Sequence, residues 1–251
     1  MSLTPWIRHN GFLSSLSHSL LERLGPHLLL HELAHHSAIL EPGKLPQYIL
    51  FPLTGVCSIQ VMSADDHFSE IGMVGNEGAI GVLDWLYTGS QHRYIAVLQP
   101  GHALRIPVRA LLSAIGESPE FHRRLLGYQR EALSYLSQLS LCNQFHTVDQ
   151  RLGRWLLSLH ERLTGHDLLL TQEDIARALG VRRESVAVAM GRLETRGIVH
   201  GSRRRITIAD ADALAGIACG CLRDLWRPAL KSPRAAASHP AMTVALSTSA
   251  P

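Results

Sequence analysis

Apolar residues along this chain recur at two kinds of interval, and the change from one to the other divides it. Phe12, Leu13, Leu16, Leu20, Leu24 and Leu28 fall near a three-to-four spacing, which predicts a helix over 12–33. From about 37 to 108 the pattern breaks into short apolar runs such as Tyr48-Ile49-Leu50-Phe51 and Val56-Cys57-Ser58-Ile59-Gln60-Val61. Gly43, Gly55, Gly75, Gly78, Gly81, Gly89 and Gly101 punctuate these runs, and Pro42, Pro46, Pro52, Pro100 and Pro107 forbid a long helix. Many short strands so spaced predict an antiparallel sandwich or barrel. After Pro119 a long helical pattern resumes, with Phe121, Leu125, Tyr128, Ala132, Leu136, Leu139 and Asn143 at spacings of 4, 3, 4, 4, 3 and 4. A near-heptad seam of that length predicts a dimerisation helix, its apolar edge meeting a second copy, with one helix packed on its own barrel as the alternative. Thr147-Val148-Asp149-Gln150 has the form of a capping box, so a new helix is expected from 147 through Leu152, Leu156, Leu159 and Leu163 to Gly165. Asn143 to His146 would be the joint.

The segment 168–208 is the most informative. Thr171 can cap a helix in which Asp174 holds the third position, and Ile175, Ala176 and Leu179 give it a short apolar face. Gly180 supplies a left-handed stop. A second helix is predicted from Arg182 to Thr195, burying Val186, Met190 and Leu193 and presenting Arg183, Glu184, Ala187 and Val188 on its other face. Two helices joined in this way form a helix-turn-helix, whose second helix enters the major groove by its first turns. Ile198-Val199-His200 and Ile206-Thr207-Ile208 flank an arginine-loaded tip, which reads as a hairpin wing with guanidiniums placed for phosphates.

Charge strengthens that reading. The whole chain carries +3, but residues 1–146 hold nine basic and eleven acidic groups, whereas 147–251 hold fifteen and ten. Basic excess confined to the helix-turn-helix half fits a polyanionic partner. Only Lys44 and Lys231 among the 24 basic residues are lysine, and guanidinium suits bidentate contact with phosphate and guanine. No apolar run approaches the roughly 18 residues of a membrane span, and the first residues lack the pattern of a secretory signal. Four cysteines in 251 residues are too few for a disulfide scaffold, so a cytoplasmic protein without membrane contact is expected. Neither a phosphate-cradling glycine loop, a His-Glu-x-x-His zinc motif nor a Gly-x-Ser-x-Gly elbow occurs, which argues against an enzyme.

The order of parts resembles the Crp/Fnr superfamily of bacterial transcription regulators over about residues 10–225. The resemblance rests on Leu170 to Ala176, Gly180 to Val186, Leu193-Glu194 and Gly197-Ile198-Val199, with Phe145 to Leu157 and the glycine-rich barrel adding to it. It implies an α+β fold: an N-terminal antiparallel β-roll of the double-stranded β-helix (jelly-roll) type, a long dimerisation helix and a C-terminal winged helix-turn-helix. The expected divisions are 1–117 for the sensor roll, 118–146 for the dimer helix and hinge, 147–227 for the DNA-binding unit, and 228–251 for a disordered tail. In that last segment, 15 of 24 residues are Ala, Pro or Ser. The partners implied are double-stranded DNA, a second copy of the chain and RNA polymerase. Arg183 and Glu184 match the family's base-reading pair, and arginine donating to guanine while glutamate accepts from cytosine is sound chemistry. Ala187 and Val188 complete the base-reading set, with Val188 standing where many members place a polar reader. Phosphate contacts are expected from Thr171, Gln172, Arg182, Ser185, Arg192, Arg203, Arg204 and Arg205. Arg182 occupies a position commonly Ser or Thr, so a weaker cap is expected there.

For the roll, the resemblance brings a phosphate cassette in which glutamate holds a ribose and arginine holds a cyclic phosphate. Here Val82 and His92 stand at those places, leaving Glu77, His92 and Arg93 as the effector-pocket candidates, and cyclic AMP is not expected to bind. No cysteine precedes Cys57, so an iron–sulfur cluster with amino-terminal ligands is not expected either. Cys219 and Cys221 show no nearby His/Cys pair to complete a zinc site and are expected to pack the last helix. His31, His35 and His36 lie close together, with surface or capping roles the default over metal or haem binding. No cofactor is therefore predicted. A partner-binding module whose winged helix makes protein contacts is the alternative reading.

Overall fold

The computed structural model describes residues 4–63, 68–85, 93–116, 118–163 and 167–223. His92 and the segment 228–251 lie outside the described residues. Three short helices open the chain, α1 (Thr4–Ile7), α2 (Gly11–Ser14) and α3 (His18–Leu24). The continuous helix expected over 12–33 is thus corrected. Asn10 and Ser17 each cap a new helix through a side-chain oxygen, Pro26 sits in a tight 3-10 turn after α3, and Leu29–Leu33 forms strand β1. Leucine spacing alone could not find the break, because caps and pairing partners decide it.

Strands β2 (Ala38–Leu40), β3 (Tyr48–Pro52), β4 (Val56–Met62), β5 (Phe68–Val74), β6 (Arg93–Gln99) and β7 (Gly101–Pro107) complete the roll. They form two antiparallel sheets, ordered β1-β7-β3 and β2-β6-β4-β5. Leu33, Leu50, Cys57, Val74, Ile95 and Val97 pack together as the roll's interior. Helix α4 (Val108–Ile115) follows and packs with α3 beside the first sheet.

Helix α5 (Pro119–Phe145) begins at a Ser118 cap and carries most of the architecture's length. Its Phe121, Leu125 and Tyr128 are buried among α2, α3, β3 and β7, with Phe12 stacked between Phe51 and the edges of Phe121 and Tyr128. The Tyr128 hydroxyl donates to Ala79 O at 2.9 Å and accepts from Ala79 N at 3.0 Å, fixing the helix to the loop after β5. Leu139 is buried with Tyr135, and Ala132 is half-buried. The predicted dimer seam is therefore corrected at Phe121, Leu125, Tyr128 and Leu139, which the chain covers by itself. Leu136, the remaining large apolar member, is exposed, and Leu126 and Leu133 stand out at 64% and 65% exposure. Two apolar stripes run along this helix, and three-to-four spacing does not say which one faces the roll.

The C-terminal unit comprises α6 (Val148–His160), β8 (Asp167–Leu168), α7 (Gln172–Leu179), α8 (Arg183–Thr195), β9 (Val199–Ser202), β10 (Arg205–Ile208) and α9 (Ala211–Ile217). The Thr147–Gln150 capping box opens α6 as expected, though the helix ends at His160, short of Gly165, with Leu163 still packed on the core. One apolar cluster joins Leu152, Trp155, Leu156, Ile175, Val186, Met190 and Leu193 to Val56, Met73 and Leu98 of the roll. The two halves share a core.

Candidate nucleic-acid interface

Local chemistry builds the helix-turn-helix. Thr171 Oγ1 accepts from Asp174 N at 3.1 Å while Asp174 Oδ2 accepts from Thr171 N at 2.8 Å, a reciprocal cap that satisfies two otherwise orphaned donors. Gly180 closes α7 at φ 60°, ψ 42°, where a side chain would be strained. Val186, Ala189, Met190 and Leu193 then bury one face of α8. Arg182 occupies its cap position without a side-chain capping bond, in line with the weaker cap expected there.

The opposite face is open. Arg182, Arg183, Glu184, Ala187 and Val188 are exposed, Ser185 is half-buried, and Val188 keeps 55% of its surface. The wing forms as an antiparallel hairpin of β9 and β10, with Arg203 and Arg204 exposed at its turn and β8 pairing on the far side of β10. Arg205 Nη1 meets Asp167 Oδ2 at 2.6 Å, and Arg192 Nη1 meets Asp149 Oδ2 at 2.8 Å. Those two guanidiniums carry exposed ion pairs, which are individually weak and can exchange for phosphate. Thr171 and Gln172 are half-buried where α7 rests against β5.

That packing belongs to a polar seam between roll and helix-turn-helix. Gln99 on β6 exchanges two hydrogen bonds with the backbone of Leu169, at 3.0 and 2.9 Å. Glu77 Oε1 accepts from Arg162 Nε at 2.8 Å with both side chains almost wholly buried, and its carboxylate also accepts from Gly75 N. Glu70 on β5 accepts from Trp155 Nε1 at 2.7 Å and from Ser58 Oγ at 2.6 Å. Burial pushes the Glu70 carboxyl up to about 7, against the pull of those two donors and of the Arg154 and Arg162 charges. A folded-state value above the unfolded one means that the native protein holds this proton more tightly. Stability from Glu70 is then complete below about pH 4.5 and is lost as pH rises toward 7, by on the order of 3 kcal/mol. The melting temperature should therefore fall from pH 5 to pH 8, and Glu70→Gln should flatten that part of the profile; an equally steep profile in the variant would contradict the assignment.

The effector-pocket candidates Glu77 and Arg93 both carry ion pairs. Glu77 is committed to Arg162 across the domain seam, and Arg93 Nη1 pairs with Asp84 Oδ1 at 2.9 Å. His31 instead lines a cavity of about 280 Å³ with Tyr48 and Arg105, and burial followed by the Arg105 charge lowers its pKa. His31, His35 and His36 form no three-ligand group among the described residues. A further expectation is overturned. Cys219 and Cys221 do meet a Cys/His pair, Cys142 and His146 at the end of α5. Sequence reading missed them because that pair lies more than seventy residues upstream, although the Cys-x-x-x-His spacing on one helix was a usable signal.

A family model described as the Crp-like helix-turn-helix domain matches residues 150–217. The chain is 26% identical over 184 residues to the CRP-like cAMP-activated global transcriptional regulator of Mycobacterium tuberculosis, covering 70% of this chain and 80% of that protein. It is 22% identical over 143 residues to the fumarate and nitrate reduction regulatory protein of Salmonella typhi, covering 54% of this chain. That match spans 57% of the Salmonella protein's own length, little more than half of it. A putative Crp/Fnr-family regulator from Eubacterium rectale shares the fold at a TM-score of 0.65, with 16% identity and coverage of 83% of this chain and 98% of that one.

The chain is thus similar to Crp/Fnr regulators, and its residues 150–217 match the Crp-like helix-turn-helix domain. A cyclic nucleotide asks for a carboxylate at its ribose and a guanidinium at its phosphate. Val82 is fully buried and apolar, Glu77 is held by Arg162 and Arg93 by Asp84.

Proposed function

We propose that this chain is a homodimeric, sequence-specific DNA-binding transcription regulator of the Crp/Fnr type, of the cytoplasm, rather than an enzyme. The observation that carries the reading is the exposed first two turns of α8 beside an exposed arginine turn on the wing. Arg183 donates two bonds to guanine, Glu184 accepts from a cytosine amino group, and Ala187 and Val188 offer apolar contact to a thymine methyl. Arg203 and Arg204 hold phosphates, as do Arg205 and Arg192 once their carboxylate partners are exchanged, while Arg182, Ser185, Thr171 and Gln172 fix the register. Leu126, Leu133 and Leu136 on α5, at spacings of seven and three, are the edge that meets the second copy. Control of the two halves runs through the polar seam of Gln99, Glu77 and Glu70, and bound DNA presents the dimer to RNA polymerase. Cyclic AMP is not its signal, so calorimetric titration with that nucleotide should give no saturable heat.

Arg183→Ala and Glu184→Ala should each relax preference at one base step per half-site, losing about 1–3 kcal/mol of discrimination. Neutralising Arg203 and Arg204 should instead weaken all sequences alike and make the dependence of log K on log salt shallower by about 0.9 for each phosphate no longer neutralised. Selection from a randomised duplex pool, repeated with each variant, reads both effects. Unchanged base preference in both α8 variants would sink the assignment, and a salt slope near zero in the parent protein would favour a protein-binding role for the wing.

A further inference from the structure

Three of the chain's four cysteines converge at one place. Cys142 and His146 lie one turn apart at the end of α5, where His146 is the cap residue and its N–H reaches Cys142 O at 3.1 Å. Cys219 and Cys221 follow α9, drawn in because a Cβ on Gly153 of α6 would sit only 3.2 Å from Ala218 Cα, so the glycine permits the approach. Cys142 and Cys219 are buried, and Cys221 and His146 are half-buried. One ligand atom from each of the four lies within 4.8 Å of all the others.

We propose that Cys142 Sγ, Cys219 Sγ, Cys221 Sγ and His146 Nδ1 bind one zinc-type divalent ion that ties the end of the long helix to the end of the DNA-binding unit. The site stands apart from the DNA-reading face and does not depend on it. A tetrahedral ion with zinc–sulfur bonds of about 2.3 Å sets sulfur atoms about 3.8 Å apart. Cys142 Sγ and Cys219 Sγ are 3.8 Å apart, and Cys221 Sγ is 3.9 Å from His146 Nδ1. A disulfide would need a separation of about 2.05 Å, and a cluster would hold thiolates on different irons farther apart than these. Three sulfurs and one imidazole are a soft donor set that selects zinc over magnesium, calcium or manganese. Four protein ligands close the coordination shell, so the ion's role is structural.

Two neighbours complete the chemistry. Gln138 Nε2 donates to Cys221 Sγ at 2.9 Å, the kind of outer hydrogen bond that orients and stabilises a bound thiolate. Three thiolates, a neutral imidazole and a divalent ion sum to one negative charge. Arg154, 1% exposed and with no hydrogen-bond partner at Nε or Nη1 among the described residues, supplies the positive charge, its field acting on both Cys142 and Cys219. Each thiol gives up its proton to solvent as the ion binds.

The test uses the full chain, stripped of metal under reductant and titrated with Co²⁺ and then Zn²⁺. Sulfur-to-cobalt charge-transfer and tetrahedral ligand-field bands should saturate at one equivalent per chain, vanish on adding zinc, and be accompanied by a raised melting temperature. Gln138→Ala should weaken zinc binding by about 10- to 100-fold while leaving the bands in place. His146→Ala, at a half-exposed position, should shift the ligand-field bands, and Cys142→Ser should reduce the charge-transfer intensity. Octahedral cobalt without sulfur bands in the parent protein would overturn the proposal whatever the variants do. So would purification with stoichiometric iron and sulfide, or a Cys142–Cys219 disulfide that forms in preference to metal uptake.

Discussion

Replacing Arg162 by leucine should cost about 3–5 kcal/mol of stability, read as a lowered urea midpoint. The loss comes less from the missing attraction than from what stays behind. Glu77 would remain a buried carboxylate beside Gly75 with one backbone donor to hold it, and Ser158 O would lose the 2.6 Å bond it now accepts from Arg162 Nη1. Replacing Glu77 by leucine as well removes the stranded charge, so the double variant should recover most of the loss. Arg162→Lys should fall between, because an ammonium keeps the charge but cannot span Glu77 Oε1 and Ser158 O as the planar fork does. Equal losses in the single and double leucine variants would show that the pair is not coupled.

Glutamate at both Leu126 and Leu133 should give a folded monomer whose affinity for an inverted repeat drops by about 10²- to 10⁴-fold, the advantage of holding two readers on one partner. Both side chains are nearly two-thirds exposed in the single chain, so charge there leaves the roll's own packing intact. The same change at Leu125 or Tyr128 should unfold the roll, since those residues sit in its core. Sedimentation of the parent protein and of the double variant at micromolar concentration separates the outcomes. A parent protein that is monomeric, or a double variant that stays dimeric, would end the assignment of this edge. In the dimer the two α8 helices should address half-sites about 34–36 Å apart, one turn of the duplex.

What could be read from the chain and what could not divides by distance along it. The helix-turn-helix was legible because its cap, its left-handed glycine and its apolar spacing all fall between Thr171 and Leu193, and each depends only on neighbours. The wing was legible for the same reason. The long helix is legible from its period, but the period does not say whether its apolar face meets the roll or a second copy. Phe121, Leu125 and Tyr128 are as fit to meet a second helix as to meet Phe12, and only the folded roll decides. Glu70 and Glu77 looked like ordinary acidic residues of a strand and a loop, because the Trp155 and Arg162 that define them stand 85 positions away. The sulfur quartet was hidden similarly, with 77 positions separating Cys142 from Cys219.

Because Val56, Met73 and Leu98 belong to the same apolar cluster as Trp155 and Leu193, the two halves of this chain are not interchangeable modules. Cutting the chain at the hinge before Thr147 would strip a shared wall from each piece and take Trp155 from Glu70 and Arg162 from Glu77. A chimera that grafts another roll onto this helix-turn-helix unit must therefore carry matching residues at the ends of β5 and β6, or re-engineer α6 to suit. A substitution that reshapes this wall from one side must be met by a matching change on the other.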